Sequence, residues 1–301
     1  MQNATSSFAQ FFAESNVKFL PLIDLNPNSM SCIYSTLKYI VDQAKKAQVN
    51  HTPCITFDQP LYKKAMEIVT AETIPVVCRL GGFHQFMSFL GSIGNMMKGS
   101  GLEEAFEEIY ASNSVGPMMC GKKIARAIRA HLLMYSALTS LLLEKVYDEN
   151  NAFADYRMMY DRMMNRELEA HEIEEALSSK TFKLFSRSLN SVKKKPLKKS
   201  RTASLWLNYM RYIEVVQDFI TAERTSNWDL HLCATSKMLN LFAATGHGNY
   251  AKSTRVYLQE MLKLEETHPE LYKIFKQGRP QLRIQHITGQ GFRPIFASSK
   301  R

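Results

Sequence analysis

Two short apolar runs constrain the fold of this chain more than any other feature. Cys54-Ile55-Thr56-Phe57 ends in Asp58, and Pro75-Val76-Val77-Cys78-Arg79-Leu80 ends in Gly81-Gly82. Between them Pro60 opens a segment with helical character, Leu61 to about Thr70. Two strands separated by a helix cannot form a hairpin; they pair in parallel through a crossover. Both runs are apolar almost throughout rather than alternating, as expected where each sheet face is covered. The expected class is therefore α/β and helix-dominated, with a small parallel β-α-β core (strands near 54–58 and 75–80) and many packed helices.

Elsewhere the apolar spacing is helical. Ser29 is placed to cap a helix over Met30–Lys46, with Ile33, Leu37, Ile40 and Val41 on one face. Phe86, Phe89, Leu90, Ile93 and Met97 predict a helix after the second strand, broken at Gly99-Ser100-Gly101. Leu102–Tyr110 reads as a helix, Asn113–Pro117 as a turn, and Cys120 to about Asn150 as a long helix with a basic start. Phe153–Leu189 is charge-dense and helical, with a Met stripe (Met158, Met159, Met163, Met164) suited to packing. Further helices are expected over Leu205–Glu223, Asp229–Phe242 and Tyr250–Leu264. The organisation read from this pass is a lead over 1–28, an α/β core with helical extension over 29–190, a basic linker over 191–203, a helical region over 204–278 and an irregular tail over 279–301.

Composition narrows the function classes. With 45% hydrophobic and 22% charged residues, the 301-residue chain can bury a sizeable core. Lys and Arg number 38 against 28 Asp and Glu, a formal charge of +10 that favours polyanionic partners, nucleic acid first and an anionic membrane surface second. The five cysteines form no C-x-x-C pair, which excludes a zinc ribbon and points to reduced thiols in an intracellular protein. The beginning of the chain has neither a secretory signal nor a transit-peptide pattern. Tyr135, Ser136, Thr139 and Ser140 interrupt the longest apolar stretch, Leu132–Leu143, so no membrane span is expected.

Asp58 is the most informative single residue. A carboxylate at the carboxyl end of an apolar strand sits where α/β sheets place their chemistry, but Asp is also a favoured N-cap, and capping is the first reading. His84 follows the second strand and could face Asp58, as a metal or proton partner or simply as a residue packed at a helix start. Asp229 suits the first turn of its helix, and Glu260 lies on a late helix where carboxylates are usually solvated or paired. Lys122, Arg126 and Arg129, at spacings of three and four, form one candidate phosphate-facing stripe. Lys193, Lys194, Lys195, Lys198, Lys199 and Arg201 place six cations in nine residues, as in a nuclear import signal, a phosphate-binding patch or a solvated linker. His247 and Tyr250, near an interhelical loop, suit backbone contact or base stacking as well as local turn packing. No P-loop, GxSxG elbow or HExxH helix is present.

Several strings occur together: Cys54-Ile-Thr-Phe-Asp-Gln-Pro-Leu61, Arg79-Leu-Gly-Gly-Phe-His84, Met87-Ser-Phe-Leu-Gly-Ser-Ile-Gly94, Gly99-Ser-Gly-Leu102, Asn227-Trp-Asp-Leu-His231, Ala243-Ala-Thr-Gly-His247, Tyr250-Ala-Lys-Ser253 and Leu264-Glu-Glu-Thr-His-Pro-Glu270. In combination they resemble a transposon-derived family of invertebrate genomes, over about Asp24 to Gly278. More remotely, the two strand ends resemble those of ribonuclease-H-like transposases, in which carboxylates hold two Mg²⁺ ions for phosphoryl transfer. That resemblance implies Asp58 and Asp229 as metal ligands, Glu260 and His84 as further catalytic candidates, and a metal-dependent nuclease as the activity if one survives. It also implies a third acid and a leading hairpin, neither of which is found in this sequence. Together with the unpatterned sequence after Gly278, this gives the expectation of a degenerate or truncated transposase-like core that associates with nucleic acid in the nucleus. The alternative from another class is a helical protein-interaction scaffold.

Overall fold

The computed structural model describes residues 26–149, 157–159, 161–162, 165, 167–197 and 200–278. Most of the expected lead, the tail after Gly278, and Met163, Met164, Lys198 and Lys199 lie outside those residues, as do the side chains of Lys193, Lys194 and Lys195.

Helix α1 (Met30–Lys46) begins where Ser29 Oγ accepts the Cys32 N–H at 3.2 Å, and it buries Cys32, Ile33, Thr36, Leu37, Ile40 and Val41. Strand β1 (Cys54–Phe57), helix α2 (Gln59–Glu72) and strand β2 (Val77–Leu80) form the crossover. The strands are parallel and in register from Cys54 against Val77 to Phe57 against Leu80. Strand β2 starts at Val77 rather than Pro75 because Pro75 offers no N–H and the Val76 N–H turns back to the Ile74 carbonyl. Among the described residues the sheet has two strands, and every side chain of β2 is buried.

Helices α3 (Gly82–Met96), α4 (Leu102–Glu107), α5 (Ser112–Met119) and α6 (Ile124–Glu149) follow. The turn expected at Asn113–Pro117 is thus helical. Pro117 removes one N–H donor from α5, but Val115, Met118 and Met119 are buried against α3 and outweigh that loss. Backbone meets backbone at this contact. A Cβ on Gly94 would lie 2.1 Å from the Met119 carbonyl oxygen, and one on Gly121, whose φ is +71°, would lie 2.1 Å from that of Met87. Only glycine fits either position.

Helices α7 (Ala170–Ser178) and α8 (Lys180–Leu197) split at Ser179, whose hydroxyl accepts the Phe182 N–H at 3.0 Å and starts a new helix. The basic run expected as a linker is helical as far as Leu197, with Pro196 next to the last residue of the helix. Helix α9 (Arg201–Thr225) opens on the Ser200 cap, so Arg201 is its first residue. Then come α10 (Trp228–Ala244), α11 (Gly248–Leu262), and the short α12 (Leu264–Thr267) and α13 (Pro269–Lys276).

Burial divides into two large clusters. One joins the sheet and α1–α2 to Trp228, Tyr257, Met261 and Phe275. The other packs α3–α6 against α9 and α10. A minor cluster, Leu143, Val146, Phe185 and Val192, joins the far end of α6 to α8. Among the described residues no helix is long and apolar enough to cross a membrane.

Candidate functional site

The carboxyl edge of the sheet is where the sequence directs attention first. Asp58 follows β1, and its Oδ1 accepts the Leu61 N–H at 3.1 Å, so it caps α2. Gly81 follows β2 and donates its N–H to the Phe57 carbonyl at 2.6 Å, which brings the starts of α2 and α3 side by side. The first turn of α11 adds Tyr250. Burial raises the Tyr250 phenol pKa and the nearby Asp58 charge raises it further, against a bond to Ser88.

His84, Ser88 and Ser92 succeed one another at intervals of four on α3, hence on one stripe of that helix. His84 is exposed and sets its ring edge against Phe83; no hydrogen bond joins it to Asp58. At the other end of the stripe, His247 Nδ1 lies 3.0 Å from Ser92 Oγ and 3.1 Å from Thr245 Oγ1. Both hydroxyls donate to carbonyls one turn back, at 2.9 and 2.7 Å. The hydrogen on this edge must therefore come from His247, so Nδ1 is protonated and Ser92 has no base to activate it. The structure thus brings Asp58, His84 and Tyr250 to one end of the sheet, with His247 two turns further along α3 against Ser92.

The other two carboxylates lie elsewhere. Helix α11 runs from Tyr250, near Asp58, to Glu260, which is exposed and influences Tyr62, Cys78 and His268. His268 meets Thr52 at 3.1 Å, ahead of β1, so this is the amino end of the sheet. Ten residues of helix put about 15 Å between the two ends. Asp229 is exposed and pairs with Lys276. Among the described residues no group of three or more His, Cys, Asp or Glu could hold a metal ion. With Asp58 tied to its helix, Asp229 to a lysine and Glu260 at the opposite end, these donors do not fit a two-Mg²⁺ centre.

A polar centre not foreseen from the sequence lies inside the sheet cluster. Arg79, 8% exposed, extends from β2 to Glu223 of α9, with Nη2 at 3.4 Å from Oε1. The same Oε1 lies 2.8 Å from His231 Nδ1, and His231 Nε2 lies 3.0 Å from the Tyr257 hydroxyl. Glu223 only accepts, so Nδ1 carries the hydrogen. Trp228 stacks on His231 with centroids 5.3 Å apart and lies under the Arg79 guanidinium at 5.7 Å. Burial opposes the Arg79 charge, but Tyr257 and Glu223 more than offset it, and the Arg79 pKa is raised. Burial pushes the Tyr257 phenol up to about 12. The available signal was Arg79 itself: a lone arginine within an apolar strand needs a buried counter-charge.

The stripe at the start of α6 is differently made. Lys122, Lys123, Arg126 and Arg129 are all exposed. Lys123 Nζ and Arg126 Nη1 each lie 3.2 Å from one oxygen, Ser114 Oγ of α5, and Ser114 is 5% exposed. None of the four forms an ion pair with a carboxylate among the described residues, although the neighbouring α4 segment carries Glu103, Glu104, Glu107 and Glu108. Lys123 belongs to the basic start of the helix but falls outside the three-and-four spacing of Lys122, Arg126 and Arg129, and Ser114 gives no signal in the sequence at all.

Residues 1–285 match the family described as a domain of unknown function, DUF8702. No curated protein matches the chain, and no solved structure does.

Proposed function

We propose, from the premise that this chain belongs to the DUF8702 family, that it is a nucleic-acid-associated protein of mobile-element descent which binds through charge rather than by carboxylate catalysis. The observation that carries this reading is the group of four exposed cations at the start of α6, without carboxylate partners among the described residues. Cations in that state are available to phosphates, and neutralising phosphates releases condensed counterions. Net charge of +10 supports the same reading, and the basic run 193–201 supplies a second contact region and a nuclear import signal. The dispersed positions of Asp58, Asp229 and Glu260 favour a degenerate core over an active nuclease. Anisotropy titrations of duplex DNA with the full chain, at salt concentrations from 50 to 200 mM, test this: log affinity should fall linearly with log salt, by about 0.9 per phosphate neutralised. No binding at the lowest salt would sink the reading.

A second reading, a helical interaction scaffold, is favoured by Leu133 and Leu141 on α6, Leu177 on α7 and Leu184 on α8, all exposed. It requires a change in sedimentation or in the proteolysis of these helices when a partner is added, with no dependence on the α6 cations.

A further inference from the structure

We infer that Lys123, Arg126 and Ser114 form a single seat for one tetrahedral oxyanion, a phosphodiester phosphate of the bound nucleic acid, and that this seat fixes the register of the α6 face. The inference rests on the nucleic-acid reading above for its ligand, but not for its geometry.

Two long, flexible side chains of like charge have converged on one neutral oxygen, each at 3.2 Å. Like charges at such short range repel, and the usual remedy is a carboxylate between them. Among the described residues none occupies that place, and Ser114 Oγ, the shared acceptor, carries no formal charge. An oxyanion set over the hydroxyl would remove the repulsion and accept from both cations at once. The charge-assisted bonds so formed are shorter and stronger than those to a neutral hydroxyl. Arg126 offers a planar fork of donors, Lys123 three rotatable ones, and the Ser114 hydroxyl, which now makes only a 3.4 Å contact to Asn113 Oδ1, can turn to donate as well.

Placement makes this a built feature rather than a chance meeting of surface cations. Ser114 is buried on α5, held by its own N–H to the Ala111 carbonyl at 2.7 Å. Lys123 and Arg126 sit just after Gly121, whose backbone is pressed against Met87 of α3. Three elements therefore fix the floor and both walls. Lys122 and Arg129 flank the seat on the same exposed start of α6 and would reach neighbouring phosphates.

One seat and two separate contacts differ in a measurable way. Two cations that share one phosphate neutralise one phosphate. The double variant Lys123→Gln/Arg126→Gln should then lower the magnitude of the DNA salt slope by about 0.9, and the single variants by less than their independent sum, whereas independent contacts would cost about 0.9 in each single variant and about 1.8 in the double. A parallel titration with inorganic phosphate at constant ionic strength should shift the Arg126 guanidinium NMR signals saturably in the wild type and not in Lys123→Gln. Lys123 and Arg126 are exposed, so their substitution keeps the fold; Ser114→Ala, a small change at a buried position that preserves both cations, should weaken phosphate binding without abolishing it. Additive slopes, or phosphate shifts unaffected by Lys123→Gln, would overturn the seat. Saturable phosphate binding with no DNA binding would keep the seat and remove the nucleic-acid reading instead.

Discussion

Arg79 and Arg126 are the same side chain in opposite circumstances. Arg79 stands inside the sheet cluster with Glu223 beside it, His231 and Tyr257 completing the group and the Trp228 ring beneath its guanidinium. Arg126 stands at the surface with a second cation at its side and a hydroxyl between them. The first arrangement is closed: every charge has its counterpart, and the group ties β2 to α9, α10 and α11. The second is open, because no carboxylate among the described residues pairs with it. A cation matched internally stabilises or specifies a fold, while one left unmatched on a firm base is available to something outside it.

The sharpest way to break this comparison is to remove a partner from the closed group. Glu223→Ala should cost about 3 kcal/mol in urea unfolding, since it strands a buried guanidinium. Arg79→Met combined with Glu223→Leu should recover most of that loss; a double variant no better than Glu223→Ala alone would mean that the pair is needed for more than neutrality.

A comparable effect belongs to His131, which is wholly buried, bonded through Nδ1 to the Tyr209 hydroxyl at 3.0 Å, and pushed by burial from 6.5 down to about 4. Its folded pKa is below its unfolded value, so protonation favours the unfolded chain. Stability from this residue is complete above about pH 6.5 and falls as the pH drops towards 4, by about 3 kcal/mol in all. Denaturation midpoints across that window, for the wild type and for His131→Gln, isolate the contribution.

Asp58→Ala should cost about 1 kcal/mol through the lost cap and leave DNA binding untouched; a change in binding would reopen the carboxyl edge as a working site. Smallest of all, replacing Lys122, Lys123, Arg126 and Arg129 by glutamine should shift stability by no more than about 0.5 kcal/mol while DNA affinity falls. A large loss of stability would show that the open group is structural after all.

What could be read from the sequence follows from the range of each interaction. Ser29 and Asp58 act on amides three residues away, and the two apolar runs differ plainly from everything around them, so the caps, the crossover and most helix positions were legible. Arg79, Glu223, His231 and Tyr257 come from four elements, and Arg79 and Glu223 are separated by 144 residues, so no local pattern announces their meeting. The α5 helix was hidden because Pro117 suggests a turn, while the force that overrides it, burial of Val115 and Met118, depends on α3 being there to cover them. Hiding α5 also hid Ser114. The positions of Asp58 and Glu260 at opposite ends of the sheet follow from the direction of α11, which spacing alone does not give.

The pressed contact of Gly121 against Met87 has one more implication. A recognition surface carried on a pliant loop can adjust to many partners, but the turn that leads into α6 is wedged where not even a methyl group fits. The backbone positions that carry these cations are consequently set by the protein's interior. On the proposed nucleic-acid reading, such a surface is a gauge of set pitch, expected to discriminate by the spacing of phosphates before it discriminates by bases.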